Sequence, residues 1–292
     1  MNTLDTLLDH TGRVDDLDAA GLARSRAAVH RAAVDLAPTV PSDLARRRRR
    51  LVLAGTAAVV AAAVVTVPVV SFGGSGTNAD ADAAGVLRRA GAAAGDQPGG
   101  WPDAAYWHST STYVRDGRTF RREIWVAHHG GPSVLRDPGV PGPDGRLGGA
   151  ARLIPGAGVF SAGSTSLTWD QLYALPTDPA RLRAELAADL HGAGPDPTTE
   201  LFVAVGDLLR ESPAAPALRR ALYDVAAGIP GVRVTGTVTD AARRTGTGVT
   251  YGGETYVIDP GTGRLLAEVE PGWRATYLDQ GPAAAAPALP AK

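Results

Sequence analysis

The sequence contains no cysteine, a single methionine and almost no net charge. The absence of cysteine excludes structural disulfides, thiolate metal sites, a cysteine nucleophile and a lipid anchor on cysteine. A formal net charge of −1 gives no electrostatic basis for binding nucleic acid, so we expect no nucleic-acid partner. Any folded part of the chain must therefore be held together by its apolar core alone.

One long uncharged run lies in the N-terminal part of the chain. Residues 51–70 carry no charged side chain, and Ser71-Phe72 extend the run, so the predicted transmembrane helix covers 51–72. At 1.5 Å per residue, a run of about 20 residues is about 30 Å long, which matches the hydrocarbon core of a bilayer. The run is rich in Val and Ala and only moderately hydrophobic. The prediction therefore depends on its length and its lack of charge.

The flanks of this run predict its orientation. Arginines fill the N-terminal flank, at Arg46, Arg47, Arg48, Arg49 and Arg50, whereas residues 73–85 contain no Lys or Arg. The positive-inside rule then places the N-terminus in the cytoplasm and the C-terminus outside the cell membrane. A cleaved signal peptide is the alternative. It is favoured by Ala-x-Ala triplets at 79–81 and 81–83, but about fifty residues precede the run and the run is long for a signal.

The predicted cytoplasmic segment, residues 1–45, is too small to form its own core. Asp18 is a candidate N-cap for a helix that reaches about Leu36 and has a rough apolar stripe. Such a helix can dock in the groove of a partner, for example a sigma factor. It can equally be a solvated stub that precedes the membrane anchor.

The residues after the span predict a folded outer domain. Residues 73–100 are predicted to be a flexible tether with a short helix over 84–94, and residues 281–292, rich in Ala and Pro, a disordered tail. Between them, residues 101–280 combine an N-terminal hairpin with a C-terminal meander, and about three helices are inserted. This order predicts an α+β domain built on an antiparallel sheet.

We find no pattern that predicts catalysis, a cofactor or a metal site, and we expect no enzyme. His128 and His129 end a predicted strand, where neighbouring side chains point to opposite faces and pair poorly on one metal. The Gly246-Thr247-Gly248 run is interpreted as a turn. The tryptophans are interpreted as core anchors, with a binding floor as the alternative. The remaining carboxylates considered are interpreted as surface charge: Asp170, Asp207, Glu211 and Asp240.

Several motifs in order resemble a family of actinobacterial membrane proteins of unknown function, the CU044-type family. They are 168–179 (Thr-Trp-Asp-Gln-Leu-Tyr-Ala-Leu-Pro-Thr-Asp-Pro), 206–213 (Gly-Asp-Leu-Leu-Arg-Glu-Ser-Pro), 229–232 (Ile-Pro-Gly-Val) and Asp259-Pro260 with Thr262-Gly263. The motif residues expected to have structural roles are Trp169, Leu175, Pro176, Asp178, Pro179, Asp259 and Gly263. The resemblance implies a gene often placed beside extracytoplasmic-function sigma factors, and it supplies no catalytic residues.

Two functional hypotheses follow. The first is a membrane-anchored regulator with an anti-sigma-like role, whose outer domain senses the envelope and whose residues 1–45 contact a sigma factor. The alternative is a module that binds an envelope lipid or lipoprotein between its sheet and its helices. In both hypotheses the lipid bilayer is a partner of residues 51–72.

Overall fold

The computed structural model describes residues 76–115, 117–129, 131–140, 149–157, 159–190, 196–270 and 273–289. The segment 1–45, the arginines at 46–50 and the predicted span at 51–72 lie outside the described residues. Within the part of the chain that is described, no helix is both long enough and apolar enough to cross a membrane.

The chain order of the elements is one helix, six strands, four helices and five strands in the described residues. The helices are α1 (Gly76–Gly95), α2 (Trp169–Ala174), α3 (Pro179–Asp189), α4 (Pro197–Glu211) and α5 (Pro216–Ala227). The first strands are β1 (Tyr106–Arg115), β2 (Arg118–Ala127), β3 (Pro132–Arg136), β4 (Arg152–Ala157), β5 (Val159–Ala162) and β6 (Thr165–Thr168). The last are β7 (Arg233–Thr239), β8 (Thr245–Tyr251), β9 (Glu254–Asp259), β10 (Arg264–Glu270) and β11 (Trp273–Ala283).

Nine of these strands form one antiparallel sheet in the order β4-β3-β2-β1-β11-β10-β9-β8-β7. The N-terminal strands join the C-terminal meander where β1 pairs with β11, from Tyr106 opposite Ala283 to Val114 opposite Arg274. Strands β5 and β6 form a separate hairpin. The predicted α+β class is confirmed, and four helices rather than about three lie between the two halves of the sheet in sequence.

The main core lies between one face of the sheet and the helices. Among its largest fully buried side chains are Tyr223 of α5, Phe160 of β5 and Phe202 of α4. Aromatic side chains of this size each remove a large apolar area from water, so they dominate the energy of the core. The cysteine-free domain is therefore stabilised by apolar burial, as its composition requires.

Two of the inserted helices begin at an Asp-Pro pair. Asp178 is the N-cap of α3 and accepts a hydrogen bond from the Arg181 backbone N–H at 2.9 Å, and Pro179 is the first helical residue. Asp196 and Pro197 have the same positions at the start of α4. An Asp cap satisfies backbone donors that have no partner within the helix, and proline lacks such a donor.

Helix α1 differs from the predicted tether. It begins at Gly76 instead of Ala84 and continues to Gly95. Its buried residues Ala83, Leu87, Ala90 and Ala94 are at most 2% exposed and recur at helical spacing. They belong to the main core, so α1 is an integral part of the domain. The prediction failed because small residues, which looked like a linker, allow a helix to pack closely on its neighbours.

Two further boundaries differ from the predictions. The Gly246-Thr247-Gly248 run lies within β8 and is not a turn. A Cβ at Gly246 would lie 2.6 Å from the Ile258 carbonyl oxygen, so glycine permits a close approach between neighbouring strands. At the other end, β11 continues through 281–283, beyond the predicted start of the tail at 281, because these residues pair with β1. After the strand, Ala286 packs against a small cluster that contains Trp125 and Val134.

Candidate functional site

A group of buried charged side chains lies where α4 crosses the sheet. Asp207 is 4% exposed, and its Oδ2 accepts a hydrogen bond from the Gly163 backbone N–H at 2.8 Å. Its Oδ1 lies 2.6 Å from Nη2 of Arg210, three residues later on the same helix. The Arg210 Nε lies 3.7 Å from Glu211 Oε1. The Arg210 guanidinium therefore contacts three carboxylates. Two of them belong to the same helix and the third belongs to the sheet.

The sheet supplies that third contact through Glu268 of β10. Arg210 Nη1 and the Tyr277 hydroxyl both donate hydrogen bonds to Oε2 of Glu268. Glu268 is 2% exposed, so its charge has almost no contact with water. A buried carboxylate is tolerated only when partners replace its hydration, and here these are a guanidinium and a phenol.

Two more carboxylates lie beside Glu268. Glu254 of β9 is 7% exposed, and Glu270 is two residues beyond Glu268 on β10. One carboxylate oxygen from each of Glu254, Glu268 and Glu270 lies within 4.8 Å of the other two. We call these three residues the glutamate cluster. Carboxylate oxygens at this spacing can share a proton or a hard cation.

The pKa values in this region reflect burial and crowded negative charge. Burial first, and then the charge of Glu268, raise the pKa of Glu254 to about 10. Burial opposes ionisation of Glu268 too, but Arg210 and the Tyr277 hydroxyl outweigh it, so the pKa of Glu268 is lowered. Burial raises the pKa of Asp207 to about 7, against the opposing effect of Arg210. Burial and the neighbouring negative charge therefore favour the protonated form of Glu254, whereas Arg210 favours the ionised form of Glu268.

Gly206 allows α4 to approach the sheet at this point. A Cβ at Gly206 would lie 2.1 Å from the Tyr256 hydroxyl oxygen, far inside van der Waals contact. The Tyr256 ring also stacks on Phe202 of α4, with ring centroids 4.8 Å apart. The motif at 206–213 thus combines a glycine for close approach with the charged residues Asp207 and Arg210.

These carboxylates revise the sequence interpretation. Asp207 and Asp240 are buried, so their interpretation as surface charge was wrong. Asp240 accepts a hydrogen bond from Arg244 Nε at 2.7 Å, in a separate contact. The glutamate cluster was missed. The sequence pattern that could have indicated it is the alternation of side-chain faces along β9 and β10. This alternation places Glu254 and Tyr256 on one face of β9, and Glu268 of β10 lies on the same face of the sheet.

A second cluster of side chains, which we call the aromatic corner, joins α2 to the end of β2. It consists of Trp101, His128, His129, Trp169 and Tyr173. Trp169 is 4% exposed, and its Nε1 donates to the Ala127 carbonyl oxygen at 2.8 Å. Tyr173 Oη and His128 Nε2 lie 2.9 Å apart. These contacts give Trp169 a structural role as an anchor, while Trp101 is 36% exposed.

The predicted geometry of the two histidines was wrong. The rings of His128 and His129 do not point to opposite faces but stack, with centroids 3.9 Å apart. Strand β2 ends at Ala127, so the alternation of a strand no longer applies to them. The His128 ring also stacks on the Trp169 ring, with centroids 4.0 Å apart, so His128 packs within the aromatic corner.

The remaining motif residues have structural contacts. The Asp259 carboxylate accepts hydrogen bonds from the Gly261 N–H at 2.9 Å and the Thr262 hydroxyl at 2.7 Å. Gly263 has a φ of 66°, and its carbonyl oxygen accepts a hydrogen bond from the Tyr223 hydroxyl at 3.0 Å. This turn therefore connects β9 and β10 to α5. Leu175 is the buried C-cap of α2, and Pro176 follows it in the connection to α3.

No protein-family model matches the chain, and no curated protein matches it. Among solved structures it is similar to a chain of the Pseudomonas aeruginosa MucA/MucB complex, with 18% identity over 71% of this chain and 59% of that chain, at a TM-score of 0.26. It is also similar to MucB in complex with MucA(peri), with 20% identity over 71% of this chain and 57% of that chain, at a TM-score of 0.26. The match spans somewhat more than half of each of those chains.

Proposed function

We propose that the chain is a single-pass membrane regulator, with a cytoplasmic segment at 1–45 and an extracytoplasmic α+β domain that senses the envelope. The predicted anchor at 51–72 and the arginines before it support this orientation. The resemblance of the outer motifs to the CU044-type family supports a role beside a sigma factor, by association alone.

The observation that carries the proposal is the short distance in sequence between the predicted anchor and the folded domain. The predicted span ends at Phe72, and α1 begins at Gly76. Because α1 packs in the main core through Ala83, Leu87 and Ala90, it is fixed to the domain instead of serving as a long tether. Only three residues, 73–75, then separate the predicted anchor from the first helix of the domain, so a change in the domain would reach the anchor through a short connection.

The alternative, a module that holds a lipid between sheet and helices, needs open space at that interface. Where α4 crosses β9, the Tyr256 ring occupies this space and lies against Gly206. The described core also contains the fully buried rings of Phe160 and Phe202. These contacts favour the regulator over the lipid module.

The proposal predicts that a sigma factor copurifies with the full-length chain from host membranes solubilised in mild detergent. Serine at Leu22, Val29 and Leu36 should abolish this copurification, because these residues form the apolar stripe of the predicted inner helix. Serine at Leu4, Leu7 and Leu8 is the matched control, since it changes three apolar residues outside that helix. Absence of a sigma factor from the wild-type preparation, with unchanged transcription in a deletion strain, would contradict the proposal.

A further inference from the structure

We propose that the glutamate cluster binds a divalent cation of the Ca²⁺ type on the helix-facing side of β9 and β10. The site stands on the geometry of the sheet and does not depend on the proposed regulatory function. Its protein ligands are carboxylate oxygens of Glu254, Glu268 and Glu270.

Strand register brings the ligands together. Glu268 lies directly opposite Tyr256 in the pairing of β10 with β9. Glu254 is two residues before Tyr256, and Glu270 is two residues after Glu268, so all of them point to the same face. Because the strands are antiparallel, these two steps run in the same direction along the sheet.

The spacing of the oxygens suits one shared ion. Ca²⁺ binds oxygen ligands at about 2.3–2.6 Å, so two ligands of one ion are separated by at most about twice that distance. One oxygen from each glutamate lies within 4.8 Å of the others, which meets this condition. Water and backbone carbonyl oxygens commonly complete a Ca²⁺ shell of six to eight oxygens.

A second observation concerns one carboxylate oxygen of Glu254. Among the described residues, Oε1 of Glu254 is buried without a hydrogen-bond donor, the residue is only 7% exposed, and its carboxylate lies within the cluster. An unsatisfied buried acceptor is costly, and a native structure normally provides it with a donor or an ion. A cation bound among the three carboxylates supplies the missing partner.

The charge balance leads to the same conclusion. Arg210 contacts Asp207, Glu211 and Glu268, so its single positive charge is shared among three carboxylates. Within the described ranges, no ion pair joins Glu254 to a basic side chain. The ligands are all hard oxygen donors, and the chain has no cysteine, so Ca²⁺ fits better than a thiophilic metal. Mg²⁺ fits less well because it requires near-ideal octahedral geometry.

Terbium luminescence tests the site in the full-length chain in detergent. Tb³⁺ resembles Ca²⁺ and emits when a nearby tryptophan is excited. Trp273 lies opposite Glu270 across β10 and β11, beside the cluster. We expect saturable emission from added Tb³⁺ that excess Ca²⁺ abolishes and excess Mg²⁺ reduces less.

Two variants locate the emission at the cluster. Glu270→Gln and Glu254→Gln should each weaken Tb³⁺ binding by about tenfold or more, because each replaces a negatively charged carboxylate ligand by a neutral amide. Glu185→Gln is the matched control, since Glu185 is exposed on α3 and should leave binding unchanged. Tryptophan fluorescence in each preparation checks that the domain is folded, and Glu270→Gln still decides the question if Glu254→Gln does not fold.

The outcomes separate the possibilities. Absent emission would overturn the proposal, because protons would then compensate the charge of the cluster. Emission that persists unchanged in a folded Glu270→Gln variant would also overturn it, because surface carboxylates would then bind the ion. A positive result together with failed sigma-factor capture would retain the cation site and reject the regulatory function. Capture of a sigma factor without saturable Tb³⁺ emission would retain the regulatory function and reject the cation site.

Discussion

Replacement of Arg210 by methionine is expected to lower the free energy of unfolding by about 3–5 kcal/mol. The guanidinium compensates Asp207 and Glu268, which are 4% and 2% exposed, so its loss leaves two buried carboxylates without a cation. Methionine fills much of the same volume, so the effect reports the lost charge more than a cavity. Urea unfolding followed by tryptophan fluorescence measures the change. All tryptophans lie at or after Trp101, so the signal reports the folded domain after residue 100.

Arg89→Met is the matched control for this prediction. Arg89 lies on α1 and is exposed, so the same chemical change should alter stability by no more than about 0.5 kcal/mol. Adding Glu268→Gln to Arg210→Met should recover part of the loss, because it removes one of the uncompensated charges. An Arg210→Met variant as stable as the control would show that the network does not contribute to the fold.

Replacement of Gly206 by alanine is expected to cost about 1–3 kcal/mol, the usual penalty for inserting a methyl group into a packed core. The new Cβ would lie 2.1 Å from the Tyr256 hydroxyl oxygen and 2.7 Å from another atom of the same ring. Either α4 or the ring must move, and Tyr256 is held by Phe202 and by the sheet. The effect opposes helix propensity, which favours alanine over glycine by up to about 1 kcal/mol.

Gly85→Ala provides the matched control on α1. A Cβ at Gly85 would meet no atom within 4 Å, so only helix propensity acts and the variant should be at least as stable as the wild type. Combining Gly206→Ala with Tyr256→Leu should cost less than the sum of the two single changes, because the shorter side chain vacates the contact. Equal stability of Gly206→Ala and Gly85→Ala would contradict the close approach of α4 to β9.

Local sequence signals predicted the elements whose ends are marked by specific residues. The Asp-Pro pairs at 178 and 196 start helices because capping and proline geometry act within a few residues. Strand alternation likewise located β1, β2 and most of the meander. The strands β4, β5 and β6 were not predicted, because they are only four to six residues long and two of them pair in a small hairpin of their own.

The candidate site could not be predicted from local sequence patterns, because it depends on contacts between residues that are far apart in the sequence. Arg210 and Glu268 are 58 residues apart, and their contact requires the packing of α4 onto the sheet. Glu254 and Glu268 become neighbours only through the register of β9 with β10. Sequence periodicity gives the face of each glutamate, but neither the register nor the helix that covers it. The same limit explains α1, whose alanines are buried only by its neighbours in the folded domain.

We propose that the folded domain lies outside the cell on a single membrane anchor, and cysteine labelling tests this topology most directly. The chain has no cysteine, so single substitutions can be labelled without background. Gln97 is exposed just after α1, and Asn2 lies in the predicted cytoplasmic segment. In intact cells, a membrane-impermeant maleimide should label Gln97→Cys and should label Asn2→Cys only after permeabilisation. The reverse pattern, or labelled Gln97→Cys protein released from the membrane, would contradict the account.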